Sequence, residues 1–394
     1  MKKKISILGS TGSIGVNTLK IIDKKKNLFE VNILAADKNY GLICNQIKRF
    51  KPKVFLINDF KVYSRVKKKF SKKKVLIINN FKIGNLIKHS DVTIAAIPGI
   101  AGLEPTVLLT KKSKKILIAN KESIICGWEL IRKNAIKYKT KIIPIDSEHF
   151  SIMKIMENQK ISDVDKIYLT ASGGPFLRYD ISKLKKVKPH QAIKHPKWKM
   201  GKKISIDSAT LMNKMLELVE AQKLFSIQSK KIEILIHPES LVHAIVKFKN
   251  GLHKLICHET TMIVPLANAI LEEKFNIDDY FKPKMNKKMP VVFRNLQFLK
   301  VDQKRFPVVK LKHRINEYNS SSIIINAVNE ILVDQYLQKK IAFTSFYNYF
   351  LKVLNDRNYK KYAIKIPKNI SQILEIDQWS KKVISKHLKL KKHV

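Results

Sequence analysis

The chain has few acidic residues, few cysteines and no long apolar run. Its 394 residues include 31 Asp and Glu against 78 Lys and Arg, which gives a formal net charge of +47. No apolar run reaches the ~20 residues of a membrane-spanning helix, and the basic start leads directly into a strand-like run and a glycine loop, unlike a signal peptide. The cysteines, Cys44, Cys126 and Cys257, are widely spaced and odd in number. This pattern argues against disulfides and favours a cytoplasmic location.

The basic charge is nearly all lysine and is spread from end to end of the chain. Base recognition in nucleic acids relies more on arginine, because its planar guanidinium binds bidentately. The joint abundance of Lys, Ile and Asn is typical of coding bias toward A/T-rich codons. We therefore expect no specific nucleic-acid partner and no membrane contact, although a basic RNA- or DNA-binding module stays the non-enzyme alternative, which a salt-titrated binding assay would reveal.

The distribution of apolar residues predicts an α/β protein with three structured regions. Over residues 1–146, short Ile- and Val-rich runs alternate with helix-like segments, as in a Rossmann-like parallel sheet. Residues 147–285 mix strands with a long helix from about Ala209 to Phe225, which predicts an α+β domain. Residues 286–312 contain prolines and little periodicity and are predicted to be a linker, and residues 313–394 have the periodicity of a helical bundle. The predicted strands are Lys4–Leu8, Val31–Ala35, Val54–Ile57, Val75–Ile78, Val92–Ile97, Ile116–Ala119, Ile142–Ile145, Lys166–Thr170, Ile232–Ile236 and Val242–Phe248.

Two carboxylates follow the strand-like run at residues 141–145. On a strand, Asp146 and Glu148 would point the same way, and the carboxyl end of an open α/β sheet is where ligands bind. Two convergent carboxylates repel each other unless a proton or a cation lies between them. A third acid, Glu217, lies on the long helix. Three hard oxygen ligands favour Mg²⁺ or Mn²⁺ over zinc, and the alternative is a solvated acidic loop.

The segment Gly9–Gly15 lies between the first strand and a helix predicted to begin near Val16. Its GxxGxxG spacing suits a backbone that approaches a pyrophosphate at a helix N-terminus, although a glycine turn without a ligand is the alternative. The second strand ends at Asp37 and Lys38, where an acid would favour NAD and a cation would favour NADP. The two residues therefore leave the cofactor open.

Four further polar segments have both a functional and a structural interpretation. Asn120–Ser123 suits a cleft or a helix cap, and Ser172–Phe176 suits a phosphate loop. In Asp207–Glu217, Ser208 suits an N-cap, while Asn213 and Glu217 share a helix face and Lys214 adds a point charge suited to phosphate. His195–Gly201 has the composition of a lid or of an ordinary surface loop.

Taken together, these motifs resemble the 1-deoxy-D-xylulose 5-phosphate reductoisomerase family. GSTGSIG, ANKES, PIDSEH, SGGPF, HPKWKMGKKISIDSATLMNK..E and HPESLVH occur in that family's order and spacing over almost the whole chain. The resemblance implies a homodimeric enzyme with an NADPH-binding domain, a catalytic domain and a C-terminal helical domain. It also implies a retro-aldol/aldol rearrangement of the substrate, assisted by Mg²⁺ or Mn²⁺ (Co²⁺ is a further candidate), and then reduction by NADPH to 2-C-methyl-D-erythritol 4-phosphate in non-mevalonate isoprenoid biosynthesis.

The resemblance assigns roles to individual residues of this chain. Asp146, Glu148 and Glu217 would hold the metal. Together with Lys121 and His195 they make up the expected catalytic set. The residues expected to contact the substrate are Lys121, Ser147, Glu148, Ser172, His195, Ser208, Asn213, Lys214 and Glu217, with Trp198 and Met200 in a lid. The residues expected at NADPH are Thr11, Gly12, Ser13, Ile14, Lys38, Asn39, Asn120, Glu122 and Gly201.

The chain departs from the family pattern at three places. Asp37 stands where glycine is usual, Met215 replaces a small residue, and the segment His258–Met262 lacks the expected Pro-Asp-Met-Arg pattern. A phosphorylating aldehyde dehydrogenase is the rival enzyme, because it also uses a GxxGxxG loop. That chemistry requires an activated cysteine, and neither Cys126 nor Cys257 lies in a recognisable nucleophile setting.

Overall fold

The computed structural model describes residues 1–81, 89–198, 200–271, 275–280 and 296–389. These residues form two compact units. Unit 1 comprises residues 1–123, 128–150 and the described part of 262–284, and unit 2 comprises residues 124–127, 151–261 and the described part of 285–394. The division into domains 1–146, 147–285 and 313–394 with a linker at 286–312 stays a prediction, and residues 286–295 lie outside the described residues.

Unit 1 is built on a parallel sheet whose strands are the predicted Ile- and Val-rich runs. Within the described residues the strand order is β4-β3-β2-β1-β5-β6-β7, and every neighbouring pair is parallel. The strands are β1 (Lys3–Leu8), β2 (Phe29–Ala36), β3 (Val54–Ile57), β4 (Leu76–Ile78), β5 (Ser90–Ala95), β6 (Ser113–Ile118) and β7 (Lys141–Pro144). The helices are α1 (Ser13–Lys24), α2 (Tyr40–Phe50), α3 (Phe60–Lys69), α4 (Leu103–Thr110) and α5 (Lys121–Lys137), and α6 (Ser147–Ile155) continues into unit 2.

The order of the strands reverses between β1 and β5. At such a switch point the loops after the two strands diverge and leave a crevice for a ligand. Gly9 follows β1 with a φ of +85°, and a Cβ at this position would lie 2.5 Å from the carbonyl oxygen of Ala96, which follows β5. A Cβ on Gly15 would lie 2.4 Å from the carbonyl oxygen of Gly9. Both glycines are therefore required by close backbone packing at this point.

Unit 2 contains a mixed sheet with the order β11-β10-β8-β9-β12 within the described residues. Its strands are β8 (Val164–Ala171), β9 (Ile232–Ile236), β10 (Val242–Phe248), β11 (His253–Cys257) and β12 (Leu299–Lys300). The helices that follow along the chain are α7 (Pro189–Ala192), α8 (Lys202–Thr210), α9 (Met212–Phe225), α10 (Ile263–Ile270, in unit 1), α11 (Ser321–Leu337), α12 (Phe346–Leu354), α13 (Tyr359–Ala363) and α14 (Ile370–His387). The predicted fold class, with a parallel sheet, an α+β region and a helical C-terminal region, is confirmed.

The predicted helix from Ala209 to Phe225 is two helices. Leu211 separates α8 from α9 and has a φ of +62°, a left-handed conformation that costs roughly 1–2 kcal/mol for a residue with a Cβ. The side chain of Leu211 compensates by packing in a buried cluster with Ala171, Ile236 and Phe306. The predicted N-cap at Ser208 is wrong, because Ser208 lies inside α8.

None of the described helices combines the length and the apolar character that a membrane span needs.

Candidate active site

Asp146 and Glu148 are brought together by a helix start and not by a strand. The strand β7 ends at Pro144, which has no N–H for a further ladder bond, and α6 begins at Ser147. The expectation that both carboxylates project from one strand is therefore wrong. Asp146 precedes α6 and Glu148 lies in its first turn, where the helix dipole favours negative charge. The hydroxyl of Ser147 donates to Oε2 of Glu148 over 2.6 Å.

A buried ammonium neutralises Asp146. The Nζ of Lys121 lies 2.7 Å from Oδ2 of Asp146, and the two side chains are 7% and 16% exposed. Burial by itself raises the pKa of Asp146, but the charge of Lys121 and the neighbouring His149 outweigh burial and hold that pKa well below its ordinary value. Asp146 is therefore an anion at neutral pH despite its burial.

One oxygen of Asp146 lacks a hydrogen bond. Its Oδ1 is buried without a hydrogen-bond partner, although Nδ1 of His149 lies 3.5 Å away. Buried carboxylate oxygens are normally satisfied, so an orphan oxygen beside a second carboxylate, Glu148, fits the chemistry of a site for a hard divalent cation.

The segment Asn120–Ser123 serves as a cap and as a brace. Asn120 is the N-cap of α5 and accepts from the amide of Ser123 over 2.6 Å. Its Nδ2 donates to the carbonyl of Ile97 over 2.6 Å and to Oε2 of Glu122 over 3.1 Å. Asn120 and Glu122 are buried, so this pair ties the start of α5 to the loop after β5. The cap interpretation holds for Asn120, and the same geometry places Lys121 beside Asp146.

The residues expected at the pyrophosphate lie at the start of α1. Gly12 is the N-cap, Ser13 is the first helical residue, and the first turn contains no acidic residue. The first-turn amides of a helix have no partner within it, which fits an anion such as a pyrophosphate. Ser10, in contrast, is buried and bonded to Gln46 over 2.7 Å, so its side chain belongs to the scaffold.

At the end of β2, Asp37 and Lys38 have different environments. Oδ1 of Asp37 accepts from Nδ2 of Asn58 over 3.0 Å, while Lys38 is exposed and pairs with no carboxylate of the described chain. Asn39 is the N-cap of α2 and accepts from the amide of Leu42 over 3.1 Å. The cation is therefore the freer of the two charged groups.

In unit 2, the start of α9 brings together three of the predicted residues. Nζ of Lys214 lies 2.6 Å from Oε2 of Glu217, and the two side chains are 7% and 1% exposed. The amide of Asn213 donates to Oε1 of the same carboxylate. Glu217 is thus a buried, charge-compensated anion. Met215, a departure from the family pattern, is fully buried on the same helix.

The loop Ser172–Phe176 lies against the end of α8. Gly174 has a φ of +64°, and a Cβ there would lie 3.0 Å from Cα of Ala209 and 3.2 Å from the carbonyl oxygen of Ser208. Only glycine permits this approach. The loop and helix α8 therefore bring the backbone at Ser172 and Ser208 to one place, as the phosphate interpretation requires.

His195 connects Ser172 to the predicted lid. Its Nδ1 accepts from the backbone N–H groups of Lys197 and Trp198 over 3.1 and 2.9 Å, so the ring proton lies on Nε2. Nε2 then donates to Oγ of Ser172 over 2.8 Å. Burial, with a smaller contribution from Lys214, lowers the pKa of His195 to about 4, which keeps the ring neutral at neutral pH.

This tautomer determines which hydrogen bonds the Ser172 hydroxyl can still form. Its Oγ also accepts from the amide of Gly174 over 3.0 Å, so both lone pairs of the hydroxyl are used. The hydroxyl hydrogen is therefore available to donate to an anion. The sequence indicated both residues but not this division of roles.

The predicted lid is partly buried and contacts the segment that departs from the family pattern. The Trp198 ring packs edge-on to His243 with ring centroids 5.9 Å apart, and His243 stacks on His258 at 3.9 Å. Oγ1 of Thr260 donates to the carbonyl of Lys197 over 3.3 Å. Lys199 lies outside the described residues. Gly201 is the N-cap of α8 and has nothing within 4 Å of a Cβ position, and Met200 precedes it. His243 and His258 thus support the lid, a role that the sequence did not suggest.

The cysteines lie in settings that do not suit a nucleophile. Cys44 and Cys126 are buried, and burial raises the pKa of the Cys257 thiol. A reactive cysteine needs a lowered pKa. This argues against the aldehyde dehydrogenase alternative.

Comparison with known proteins identifies one family along most of the chain. The model of 1-deoxy-D-xylulose 5-phosphate reductoisomerase matches residues 5–127, and two models of its C-terminal domains match residues 142–225 and 259–383. The reductoisomerase of Pelagibacter ubique is 43% identical over 96% of this chain and 97% of its own length. That of Wolbachia pipientis wMel is 40% identical over 86% of this chain and 87% of its own.

Solved structures agree with the family models. The reductoisomerase from Zymomonas mobilis in complex with NADPH has a TM-score of 0.85 at 30% identity, covering 99% of this chain and 100% of that one. A reductoisomerase in complex with NADPH, fosmidomycin and magnesium has a TM-score of 0.90 at 30% identity and covers 98% of both chains.

Proposed function

The chain belongs to the 1-deoxy-D-xylulose 5-phosphate reductoisomerase family, whose NADPH- and metal-dependent conversion of 1-deoxy-D-xylulose 5-phosphate to 2-C-methyl-D-erythritol 4-phosphate it catalyses, and on this premise we propose which of its residues do so. Asp146, Glu148 and Glu217 are the proposed metal ligands. The observation that carries this proposal concerns Oδ1 of Asp146. This atom is buried, has no hydrogen-bond partner, and belongs to a residue that lies beside a second carboxylate, Glu148.

We propose that the residues around the metal prepare the substrate. The bound metal supplies a Lewis acid that polarises the substrate's carbonyl group. Lys121 keeps Asp146 ionised through their 2.7 Å ion pair and holds a positive charge beside the substrate's oxygenated end. Ser147, which donates to Glu148, also contacts that end. His195 is neutral and orients Ser172, so it acts in binding and not as an acid.

The phosphate group is proposed to bind Ser172, Ser208, Asn213 and Lys214. This assignment rests on the free hydroxyl hydrogen of Ser172, the glycine-dependent approach of its loop to α8, and the buried ammonium of Lys214. Binding at a group remote from the reacting carbons orients the substrate and supplies energy for closing a lid. The proposed lid contains Trp198 and Met200, which would exclude water.

NADPH, which supplies the hydride, is proposed to bind at the switch point of the unit 1 sheet. The start of α1 (Thr11, Gly12, Ser13 and Ile14) would hold the pyrophosphate, and Lys38 and Asn39 would hold the 2′-phosphate end. Asn120, Glu122 and Gly201 complete the set. A cytoplasmic location remains a prediction from the cysteine content.

The direct test of this assignment measures substrate-dependent NADPH oxidation by the purified protein. Treatment with a chelator should abolish turnover, and added Mg²⁺ or Mn²⁺ should restore it. Full activity in the chelated enzyme would contradict the metal site.

We expect NADPH to be preferred over NADH, and the substitution Asp37→Gly to widen the preference. Asp37 bonds to Asn58 and Lys38 faces solvent, so the lysine is the group able to reach a 2′-phosphate. Removal of an exposed charge near that phosphate should change the ratio of kcat/KM values by about fivefold, because exposed pairs contribute at most about 1 kcal/mol. Asp37→Asn is the matched control, since it removes the charge without adding backbone freedom. An NADH preference in the unmodified enzyme would reverse this assignment.

We also propose that the enzyme is a homodimer that pairs through the edge strand β11. Among the described strands β11 has a neighbour on one side only, β10. Leu255 on this strand and Leu252 just before it are 43% and 57% accessible. An open edge strand with exposed apolar side chains is a template for pairing, and a two-fold axis allows the same strand of a second copy to complete the sheet.

Charge introduced on this strand should separate the subunits. Leu255→Lys is expected to convert the dimer to a monomer in light scattering coupled to size-exclusion chromatography, because two lysines would meet across the axis. Ile366→Lys, at an equally apolar position that is 66% exposed in unit 2, should leave the dimer intact. A dimer that survives Leu255→Lys would assign the interface elsewhere.

A further inference from the structure

We propose that Asn329, on helix α11, is a positioning residue that holds α8 and thereby orients Ser208 toward the substrate's phosphate. It acts through Asp207, the residue before Ser208. The inference rests on the proposed phosphate site, and it adds to that site a group from the C-terminal helical region that touches no substrate. All the residues involved lie in unit 2.

The key observation is a buried carboxylate with two directed partners. Asp207 is 1% exposed. One of its oxygens accepts from Nδ2 of Asn329 over 2.7 Å, and the other lies 2.9 Å from Nζ of Lys203, one turn earlier on α8. A buried carboxylate that loses a partner is costly, so this arrangement holds α8 in one position relative to α11.

The orientation of the Asn329 amide follows from its neighbour. The residue is fully buried, and a rotated amide would direct its oxygen at the carboxylate oxygen of Asp207. That contact is repulsive, so Nδ2 is the atom that faces Asp207. Oδ1 of Asn329 accepts no hydrogen bond. The bond to Asp207 is therefore the polar interaction that keeps the Asn329 side chain in place.

A carboxylate is an unfavourable choice at this place for electrostatic reasons alone. The next residue, Ser208, is a proposed ligand of an anionic phosphate, and a nearby negative charge opposes anion binding. Lys203 offsets the charge of Asp207, but Asn329 is neutral and contributes direction only. We infer that the role of Asp207 is to fix the position of α8 relative to α11. A directed hydrogen bond to a neighbouring helix specifies the position of α8 more narrowly than apolar packing does.

Helix α8 is held on its other side by the phosphate loop itself. Gly174 meets Ala209 and the carbonyl of Ser208 at 3.0 and 3.2 Å, and α11 packs against both α8 and α9. A shift of α8 would therefore move Ser208 and disturb the loop that carries Ser172. The hydroxyls of Ser172 and Ser208 would then no longer point toward the phosphate.

The test compares two buried asparagines of the same helix. Asn329→Leu removes the bond to Asp207. Asn326→Leu, one turn earlier and equally buried, removes an amide whose hydrogen bond within the described part of the chain is a long one, to the Cys126 sulfur at 3.9 Å. We expect Asn329→Leu to raise the KM for substrate and the inhibition constant of inorganic phosphate about tenfold, since a misplacement of about 1 Å can cost up to about 100-fold. The Kd for NADPH should not change. Asn326→Leu should change none of these values more than twofold, even where it lowers the melting temperature.

A charge exchange tests the same bond without a cavity. Asn329→Asp places a second carboxylate against Asp207 and should raise KM at least as much as Asn329→Leu. The double variant Asp207→Asn with Asn329→Asp restores one donor and one acceptor and should bring KM back toward the unmodified value. This rescue separates a directed bond from general packing.

The outcomes distinguish the inference from the site on which it rests. If Ser208→Ala leaves the KM and the phosphate inhibition constant unchanged, the phosphate site is wrong and the inference fails with it. If Ser208→Ala weakens both but Asn329→Leu does not, or if the two asparagine variants change KM equally, only the positioning role is overturned.

Discussion

Glu217→Gln should lower kcat by at least about 100-fold while leaving the Kd for NADPH unchanged. Loss of the third anionic ligand weakens the metal's binding and its Lewis acidity, and even ligand-orienting groups outside a metal's coordination sphere change affinity or activity by about 10–100-fold. Steady-state kinetics across a metal titration, with NADPH binding followed by fluorescence, checks the prediction. A normal kcat at saturating metal would remove Glu217 from the site.

Stability must be separated from catalysis in this variant. One oxygen of Glu217 accepts from Asn213 and the other pairs with Lys214 at 2.6 Å, but a glutamine has only one acceptor oxygen. We therefore expect the free energy of unfolding to fall by about 1–3 kcal/mol, which the melting temperature records. Asp377→Asn is the matched control, because Asp377 on α14 is a buried carboxylate that pairs with Lys381 at 2.9 Å. It should share the stability loss without the loss of activity.

Trp198→Ala should raise KM and lower kcat together, with little change in melting temperature. The ring is only partly buried and packs edge-on against His243, so its removal leaves no large core cavity. If the loop closes over the substrate, the ring excludes water and strengthens the electrostatic interactions inside the site. A core tryptophan would instead cost about 3–5 kcal/mol of stability on truncation to alanine.

The control for this variant lies in the C-terminal helical region. Trp379 stacks on Tyr362 with ring centroids 4.4 Å apart, far along the chain from the proposed lid. Trp379→Ala should leave the kinetics unchanged. A large loss of stability with unchanged kinetics in Trp198→Ala would show that the ring belongs to the core and not to a lid.

The sequence predicted the strands well because their signals are local. Runs of Ile and Val bounded by turn residues become the strands β1 to β7 within a few residues of their predicted ends. The glycine loop was also predictable from the sequence. A Cβ on Gly9 or Gly15 would lie 2.5 or 2.4 Å from a backbone carbonyl oxygen, so both positions require glycine. The order of the motifs along the chain also indicates the family independently of the fold.

The local backbone structure at the site was harder to predict from the sequence. Asp146 and Glu148 converge because β7 ends at Pro144 and α6 begins at Ser147. Strand alternation also predicted that the two carboxylates converge, but it placed them both on a strand, which is wrong. Nothing in the residues around Leu211 indicates a helix break, since neither glycine nor proline is present. The break depends on a core cluster formed with Ala171, Ile236 and Phe306, which are distant in sequence.

The sequence by itself determined the chemical groups of this protein: three carboxylates, a glycine loop, a phosphate-type serine loop and the order in which they occur. Only the tertiary structure decided the protonation states and the orientations of those groups. Burial and Lys121 keep Asp146 ionised, two backbone amides select the Nε2-protonated tautomer of His195, and Asn329 holds Asp207 from 122 residues away along the chain. Such effects depend on desolvation and on the direction of hydrogen bonds between distant segments, and neither quantity exists until the chain has folded.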